Sequence, residues 1–330
     1  MKSVSTPATV ADVAAAAGVS RQTVSNALNR PEIVRPATLT RVQAAIQDLG
    51  YRPHASARRL RTRQSSTLGV RLPPVHGISG AVLDRFLHAL VESADERGMR
   101  ILLFTATDVD DELTHMERLV EGSDVDGFVL TSTAHGDPRA SWLVESAVPF
   151  VTFGRPWGLD DMDHAPHPWV DVDGRAGLRD ATTGLVARGH RRIGFLGWPS
   201  PSGSGDERRT GWAEALAAAG LEGVGLSSED DVTAATRAVT DAVAAGARFD
   251  AVVCASDTLA LGARFALGDD VTLVGYDDTP VAEAVGISSV EQPLAAAASA
   301  AVELLMGSGR SVLPSSTGHR LLAPRVVWRD

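Results

Sequence analysis

Apolar residues fall along this 330-residue chain in two rhythms. From Thr67 onward, short unbroken apolar runs at 68–72, 101–105, 127–130, 150–153, 193–196, 251–255 and 273–275 alternate with stretches whose apolar positions return every three or four residues, at 81–97, 113–121, 175–188, 207–219 and 234–245. An unbroken run suits a strand covered on both faces, and the longer repeat suits a helix with one buried stripe. The alternation predicts an α/β body of doubly wound parallel sheets covered by helices, and the length from 67 to 330 fits two such lobes.

The first fifty residues carry only the helical rhythm. Thr9 precedes Val10, Val13, Ala14 and Ala17 at helical spacing, Asp12 lies in the first turn, and Gly18 follows. A capping hydroxyl, an acid at the positive helix end and a terminating glycine frame one helix. Ser20 caps a second at once, and two short helices joined by Gly18-Val19-Ser20 must cross steeply, as in a helix-turn-helix. On the second helix Val24, Ala27 and Leu28 face inward, which leaves Arg21, Gln22, Ser25 and Asn26 outward. Arginine can fork onto guanine, and glutamine or asparagine onto adenine. A third helix starts at Pro36, shows Leu39, Val42, Ile46 and Leu49 on one face, and stops at Gly50. Residues 54–61 form a further short helical stretch, too short to persist alone, and Gln64, Ser65 and Ser66 read as linker.

Charge sharpens this division. Residues 1–66 hold Lys2 and nine arginines against Asp12, Glu32 and Asp48, a surplus of seven positive charges, although the whole chain carries a net charge of −10. The rest therefore has a surplus of seventeen negative charges and is repelled by phosphate, so nucleic acid is expected to meet the chain at one end only. With 44% hydrophobic and 22% charged residues, the composition is that of a globular protein rather than a fibrous or disordered one. No apolar run of membrane-spanning length occurs, and the N-terminus lacks the apolar segment of a signal peptide, so a cytoplasmic location is expected. Cys254 lies in an apolar run, which predicts a buried thiol.

Ligands of open parallel sheets bind beyond the carboxyl ends of the strands. That rule selects His76, Ser79, Ser132, Phe153, Arg155, Asp173, Trp198, Ser256, Asp257, Asp277 and Gln292 as candidate cleft residues. Catalytic chemistry is not expected. Asp160, Asp161, Asp163, His164 and His167 lie in a proline-containing loop without fixed metal-ligand spacing, and His190 sits at a helix end, where an imidazole satisfies carbonyls. Gly203-Ser204-Gly205 reads as a flexible loop. No nucleophile elbow, P-loop or zinc-protease motif is present, and neither a cofactor nor a metal is expected.

The ordered motifs are more specific than the periodicity. Thr9-Val10-Ala11-Asp12-Val13-Ala14, Ala17-Gly18-Val19-Ser20, Thr23-Val24-Ser25, Leu28-Asn29 and Gly50-Tyr51-Arg52-Pro53 resemble the signature of the LacI/GalR family of transcriptional regulators. Leu185 to Ile193, Ala255-Ser256-Asp257 and Val274-Gly275-Tyr276-Asp277-Asp278 resemble its effector domain. The resemblance implies a helix-turn-helix DNA-binding domain over 1–53, a hinge helix and linker over 54–66, and a two-lobed, periplasmic-binding-protein-like effector and dimerisation domain over 67–330. Its lobe boundary is expected near 170, with the chain crossing back near 293 and 318.

In this family the second helix enters the major groove, which assigns base readout to Arg21, Gln22 and Asn26 within a DNA-binding set that includes Thr9, Ser20, Thr23, Ser25 and Asn29. Asn26 stands where many relatives carry arginine. The hinge helix enters the minor groove, where Leu60 matches the wedging leucine, flanked by Ala57 and Arg61. Arg208 matches the arginine that holds the effector, and Asp277 its acidic partner; Ser256 stands where relatives often carry asparagine. The implied effector set is His76, Ser79, Phe153, Asp173, Trp198, Arg208, Ser256, Asp277 and Gln292, and the implied effector is a sugar.

The expected partners are a pseudo-palindromic double-stranded DNA operator, a small-molecule effector and a second copy of the chain. A homodimer rather than a tetramer is expected, because the chain ends at Trp328-Arg329-Asp330 without a heptad-patterned helix. Two other classes share parts of the pattern. A periplasmic sugar-binding protein needs a signal peptide and has no use for Arg21 and Gln22, and a hydrolase on a similar fold needs a catalytic pair or a metal.

Overall fold

The structure, a computed structural model, describes residues 8–51, 64–73, 78, 80–159, 161–162, 164–307, 309, 312 and 318–329. The chain divides into two compact units, Met1–Gln64 and Ser65–Asp330.

In the first unit the local signals act as read. Thr9 caps α1 (Val10–Ala17): its hydroxyl accepts the Asp12 N–H, and the Asp12 carboxylate accepts the Thr9 N–H at 2.8 Å. Gly18 ends α1 at φ 65°, a conformation open to glycine without penalty. Ser20 then caps α2 (Arg21–Asn29), accepting the Thr23 N–H at 3.1 Å, and Pro36 opens α3 (Pro36–Asp48). Val13, Val24, Val42 and Tyr51 close the small core. Leu49 departs from expectation. It lies at the C-cap of α3 and is 41% exposed, so Ala45, four residues earlier, fills the inward position instead.

The second unit begins earlier than expected. Ser65 and Ser66 read as linker, yet both backbone N–H groups donate to the Asp126 carboxylate and Ser65 is buried. From there the chain runs β1 (Thr67–Arg71), α4 (Gly80–Glu96), β2 (Arg100–Phe104), α5 (Val109–Glu121), β3 (Gly127–Leu130), α6 (Pro138–Glu145), β4 (Phe150–Phe153) and β5 (Trp169–Val172). The second lobe holds α7 (Gly174–Ala187), β6 (Ile193–Gly197), α8 (Ser204–Ala218), β7 (Gly225–Ser227), α9 (Val232–Ala244), β8 (Ala251–Cys254), α10 (Asp257–Leu267), β9 (Thr272–Tyr276), α11 (Pro280–Ala284) and β10 (Ser288–Glu291). Then α12 (Leu294–Met306) and β11 (His319–Leu322) return to the first lobe, and β12 (Arg325–Val327) to the second.

The sheets have the orders β11-β5-β4-β3-β1-β2 and β12-β10-β9-β8-β6-β7. All pairings are parallel except that of β12 with β10. The chain thus passes between lobes after β5, after β10 and after β11. The last passage falls at 323–324 rather than near 318, because His319–Leu322 still pairs with β5. Each sheet has its own core: Leu68, Phe86, Leu90 and Val151 in the first lobe, and Ile193, Phe195, Val253 and Val274 in the second. Cys254 lies in the latter, where burial pushes its thiol pKa up. Residues 203–205 are not a free loop, because α8 starts at Ser204.

Five strands, β5, β7, β10, β11 and β12, were not marked by apolar runs. Asp171, the serines of β10 and the exposed residues of β7, β11 and β12 break the pattern.

Candidate functional site

On α2, Arg21 and Gln22 are exposed, and the Gln22 amide donates to the Asn26 side-chain oxygen at 3.1 Å. The hydroxyls of Ser20 and Thr23 share a hydrogen bond of 2.9 Å at the helix start, and Ser25 is half-buried. The inward face holds Val24 and Ala27. The outward face therefore presents a guanidinium and two amides from a short, capped helix, a donor and acceptor set suited to base edges. Thr9 is occupied in the α1 cap. The Asn29 side chain, Ala57, Leu60, Arg61, His76 and Ser79 lie outside the described residues.

In the second unit a cleft of about 330 Å³ opens where the strands of both sheets end. Its first-lobe side pairs an apolar patch, Val82, Leu83 and Phe86 of α4 with Phe153 at the end of β4 and Trp157, with the polar Thr131, Ser132, Thr133 and Asp171. Phe86 and Phe153 stack with centroids 4.3 Å apart. Trp157 is held by a 3.1 Å bond from its indole N–H to the Thr133 hydroxyl. It also packs on Gly203 of the second lobe, where an added Cβ would meet the ring at 2.7 Å. Behind Trp157 lies a second, mainly apolar cavity of about 280 Å³.

The opposite wall is polar: Trp198, Arg208, Asp230, Asp277 and Gln292. Arg208, 7% exposed, donates Nη1 to the Ala255 carbonyl at 2.5 Å and lies 3.6 Å over the Tyr276 ring and 5.2 Å from that of Trp198. Its planar head is thus clamped in one orientation. Asp277, also 7% exposed, accepts from Gln292 Nε2 at 2.6 Å. Burial pushes its pKa up to about 7; the Arg208 charge opposes that rise, and Asp257 adds to it. Asp171 in the cleft floor is raised as well, burial outweighing Arg155, whose Nε donates to it at 2.9 Å.

Buried polar atoms with no protein partner gather here: Trp198 Nε1, Arg208 Nε, Tyr276 OH and Arg155 Nη2 all lie in or directly behind the cleft. Buried polar groups are normally paired, so such a concentration points to a polar ligand.

Of the sequence candidates, Phe153, Trp198, Arg208, Asp277, Gln292 and Ser132 come together around the cleft. Asp173 is the N-cap of α7, accepting from Ala176 N at 2.9 Å. Ser256 caps α10 and donates to Asp230, reaching the cleft through that residue. Asp257 braces the turn after β9, accepting from Thr279 N at 2.7 Å and from the Ser289 hydroxyl. Arg155 lines the cavity behind Trp157 and bridges to Glu207 of the second lobe at 3.1 Å.

Sequence reading missed Phe86, Thr133, Trp157, Asp171 and Asp230 as lining residues. A charge inside the apolar run Trp169-Val170-Asp171-Val172 was the one available signal; Asp230 sits in an acidic stretch that looks solvated. In the loop after β4, His164 pairs with Asp161 at 2.8 Å on the surface, and His167 is buried against Phe150. Asp160 and Asp163 lie outside the described residues, and no group able to hold a metal occurs among the described ones. His190 is 3.5 Å from Asp250 at the end of α7.

A capped recognition helix and a two-lobed body closing on a polar cleft define a ligand-responsive DNA-binding regulator. The family described as periplasmic binding proteins and sugar binding domain of LacI family matches residues 83–295, and bacterial regulatory proteins, lacI family, matches residues 9–54. The chain is 37% identical to the HTH-type transcriptional regulator CelR of Thermobifida fusca, over 85% of this chain and 86% of that protein. A solved transcriptional regulator CelR–cellobiose complex is 30% identical, with a TM-score of 0.70 over 98% of this chain and 99% of that one. The Lac repressor dimer bound to operator and the anti-inducer ONPF is 26% identical, with a TM-score of 0.79 over 98% of each chain. The chain belongs to the LacI family of bacterial regulatory proteins, and it is a helix-turn-helix transcriptional regulator. No helix among the described residues is long and apolar enough to cross a membrane.

Proposed function

We propose that this regulator is a cytoplasmic, homodimeric repressor whose operator affinity is set by an uncharged sugar bound in the interlobe cleft. It catalyses no reaction. The observation that carries the sugar reading is the pairing of walls. Phe153 offers a flat apolar face, backed by the buried Phe86 stacked on it, while Arg208, Asp277 and Gln292 offer fixed donors and acceptors opposite, the combination that suits a sugar ring and its hydroxyls. The carboxylates of Asp171, Asp230 and Asp277 outnumber the single arginine in the lining, which disfavours a phosphorylated or acidic sugar.

Arg21, Gln22 and Asn26 read base edges, with Thr9, Ser20, Thr23, Ser25 and Asn29 around them. Ala57, Leu60 and Arg61 act from the hinge, and His76 and Ser79 complete the effector set, with Asp173 and Ser256 supporting it as the N-caps of α7 and α10. A twofold dimer presents two recognition helices to a pseudo-palindromic site.

The test is retardation of the protein's own promoter fragment, combined with calorimetric titration of cellobiose, other neutral oligosaccharides and sugar phosphates. Neutral sugars should bind and alter retardation. Tighter binding of a sugar phosphate would overturn the reading.

A further inference from the structure

Besides Arg155, which reaches Glu207, a second arginine bridges the two lobes. Arg85 lies on α4, next to the buried Phe86, and is half-buried. Its guanidinium crosses to the other lobe, donating Nη2 to the Asp277 carbonyl at 2.9 Å and Nη1 to the Asp278 carbonyl at 3.1 Å. The two acceptors are consecutive non-glycine residues with positive φ, 111° and 49°, a backbone that side chains rarely adopt and that persists only where the surroundings over-determine it. The second lobe pins the rest of this turn. Asp277 N donates to the Val290 carbonyl at 2.8 Å, Asp278 N donates to the Ser289 hydroxyl at 3.0 Å, and Arg329 pairs with the Asp278 carboxylate at 2.6 Å. The turn is therefore stiff within its own lobe, and its two carbonyls are the groups handed to the first.

From this geometry we propose that Arg85 is the positioning residue that conveys effector occupancy from the Asp277 carboxylate to the first lobe. The inference rests on the reading that Asp277 holds the effector. The backbone carbonyl gripped by Arg85 and the carboxylate facing Gln292 and Arg208 belong to one residue in a strained, braced conformation. A ligand that seats the carboxylate also sets the carbonyl. A planar fork on two carbonyls fixes both spacing and angle, so both bonds hold at this arrangement of the lobes and both fail when the lobes shift by about an ångström. A ligand moves an equilibrium only through contacts that differ between its two states, and this clamp is such a contact.

The experiment uses the full chain with spin labels at cysteines replacing Glu117 on α5 and Asp241 on α9, both exposed and one on each lobe. Cys254 is fully buried and stays unlabelled. Labelled chains are diluted with unlabelled ones so that distances within one chain dominate. Without ligand, the parent should show one narrow distance by double electron–electron resonance, Arg85→Ala a broader distribution with a longer component, and Arg85→Lys, a charge without a fork, an intermediate one. In parallel, the cellobiose concentration giving half-maximal operator response should rise by about tenfold or more in Arg85→Ala, which removes both charge-assisted bonds of the clamp. An unchanged distance distribution overturns the proposal. So does an unchanged response midpoint in a protein that binds the sugar. If the parent binds no sugar, the sugar reading fails and the distances alone decide the clamp. If Arg85→Ala does not fold, Arg85→Lys carries both measurements.

Discussion

On α2 Gln22 pairs with Asn26 and Ser20 with Thr23, near neighbours on one helix, whereas in the cleft Arg208 and Asp277 are each 7% exposed and held by partners distant in sequence. The recognition face can remain solvated until DNA arrives, because its helix is stabilised by caps and an apolar underside. The cleft groups are stripped of water on folding, and their orientation is set beforehand. A surface site of the first kind depends on long-range charge. A buried site of the second kind depends on a few fixed hydrogen bonds and is nearly blind to salt.

The largest expected effect follows from that contrast. If six phosphates are contacted, operator affinity should fall about a thousandfold between 50 and 200 mM salt. Affinity for a neutral sugar should change less than about twofold over the same range, since no ion pair forms. Anisotropy and calorimetry across a salt series check both, and parallel slopes would erase the distinction.

Arg208→Ala should separate the two sites. Loss of its guanidinium leaves the neighbouring polar groups of the cleft unpaired and should weaken the sugar by about 2–4 kcal/mol, about 30- to 1,000-fold. Operator binding without sugar should stay at the parent level in a retardation assay. If it is lost, Arg208 is needed for folding, through its stacking on Tyr276, rather than for sensing.

Gln22→Ala should cost about 1–3 kcal/mol, confined to one position of each half-site. A uniform loss across a library of operator variants would make Gln22 a backbone contact instead.

The smallest effect distinguishes the sites by pH. The pKa of Asp277 is raised from an ordinary 3.8 to about 7, so its contribution to stability is fully present below about pH 4 and is lost as pH rises through 7. Ionised Asp277 is the form that accepts from sugar hydroxyls, so sugar affinity should rise about tenfold from pH 6 to pH 8. Asp277→Asn should flatten that profile. Operator binding should show no matching step from this group, which calorimetry and anisotropy at a series of pH values will tell.

The same contrast explains what the amino-acid order determined alone. The caps at Thr9 and Ser20 and the stop at Gly18 are interactions within four residues, so the helices of the first unit were legible, with Leu49 the one position whose burial the helical rhythm misplaced. The unbroken apolar runs marked the central strands of both sheets for a similar reason, since a strand buried on both faces must be apolar at every position. The cleft was legible only where a strand end or a family motif supplied a residue, as with Phe153, Arg208 and Asp277.

Tertiary structure alone decided the rest. Asp171 and Asp230 line the cleft because crossings between the lobes bring β5 and the loop after β7 to one opening. Ser256 and Asp173, which the strand-end rule could not distinguish from ligand contacts, are taken up by helix caps. Arg85 carried no signal at all. A surface-like arginine on an amphipathic helix becomes an interlobe clamp only when a turn almost two hundred residues away presents two carbonyls to it, and no local pattern encodes that meeting.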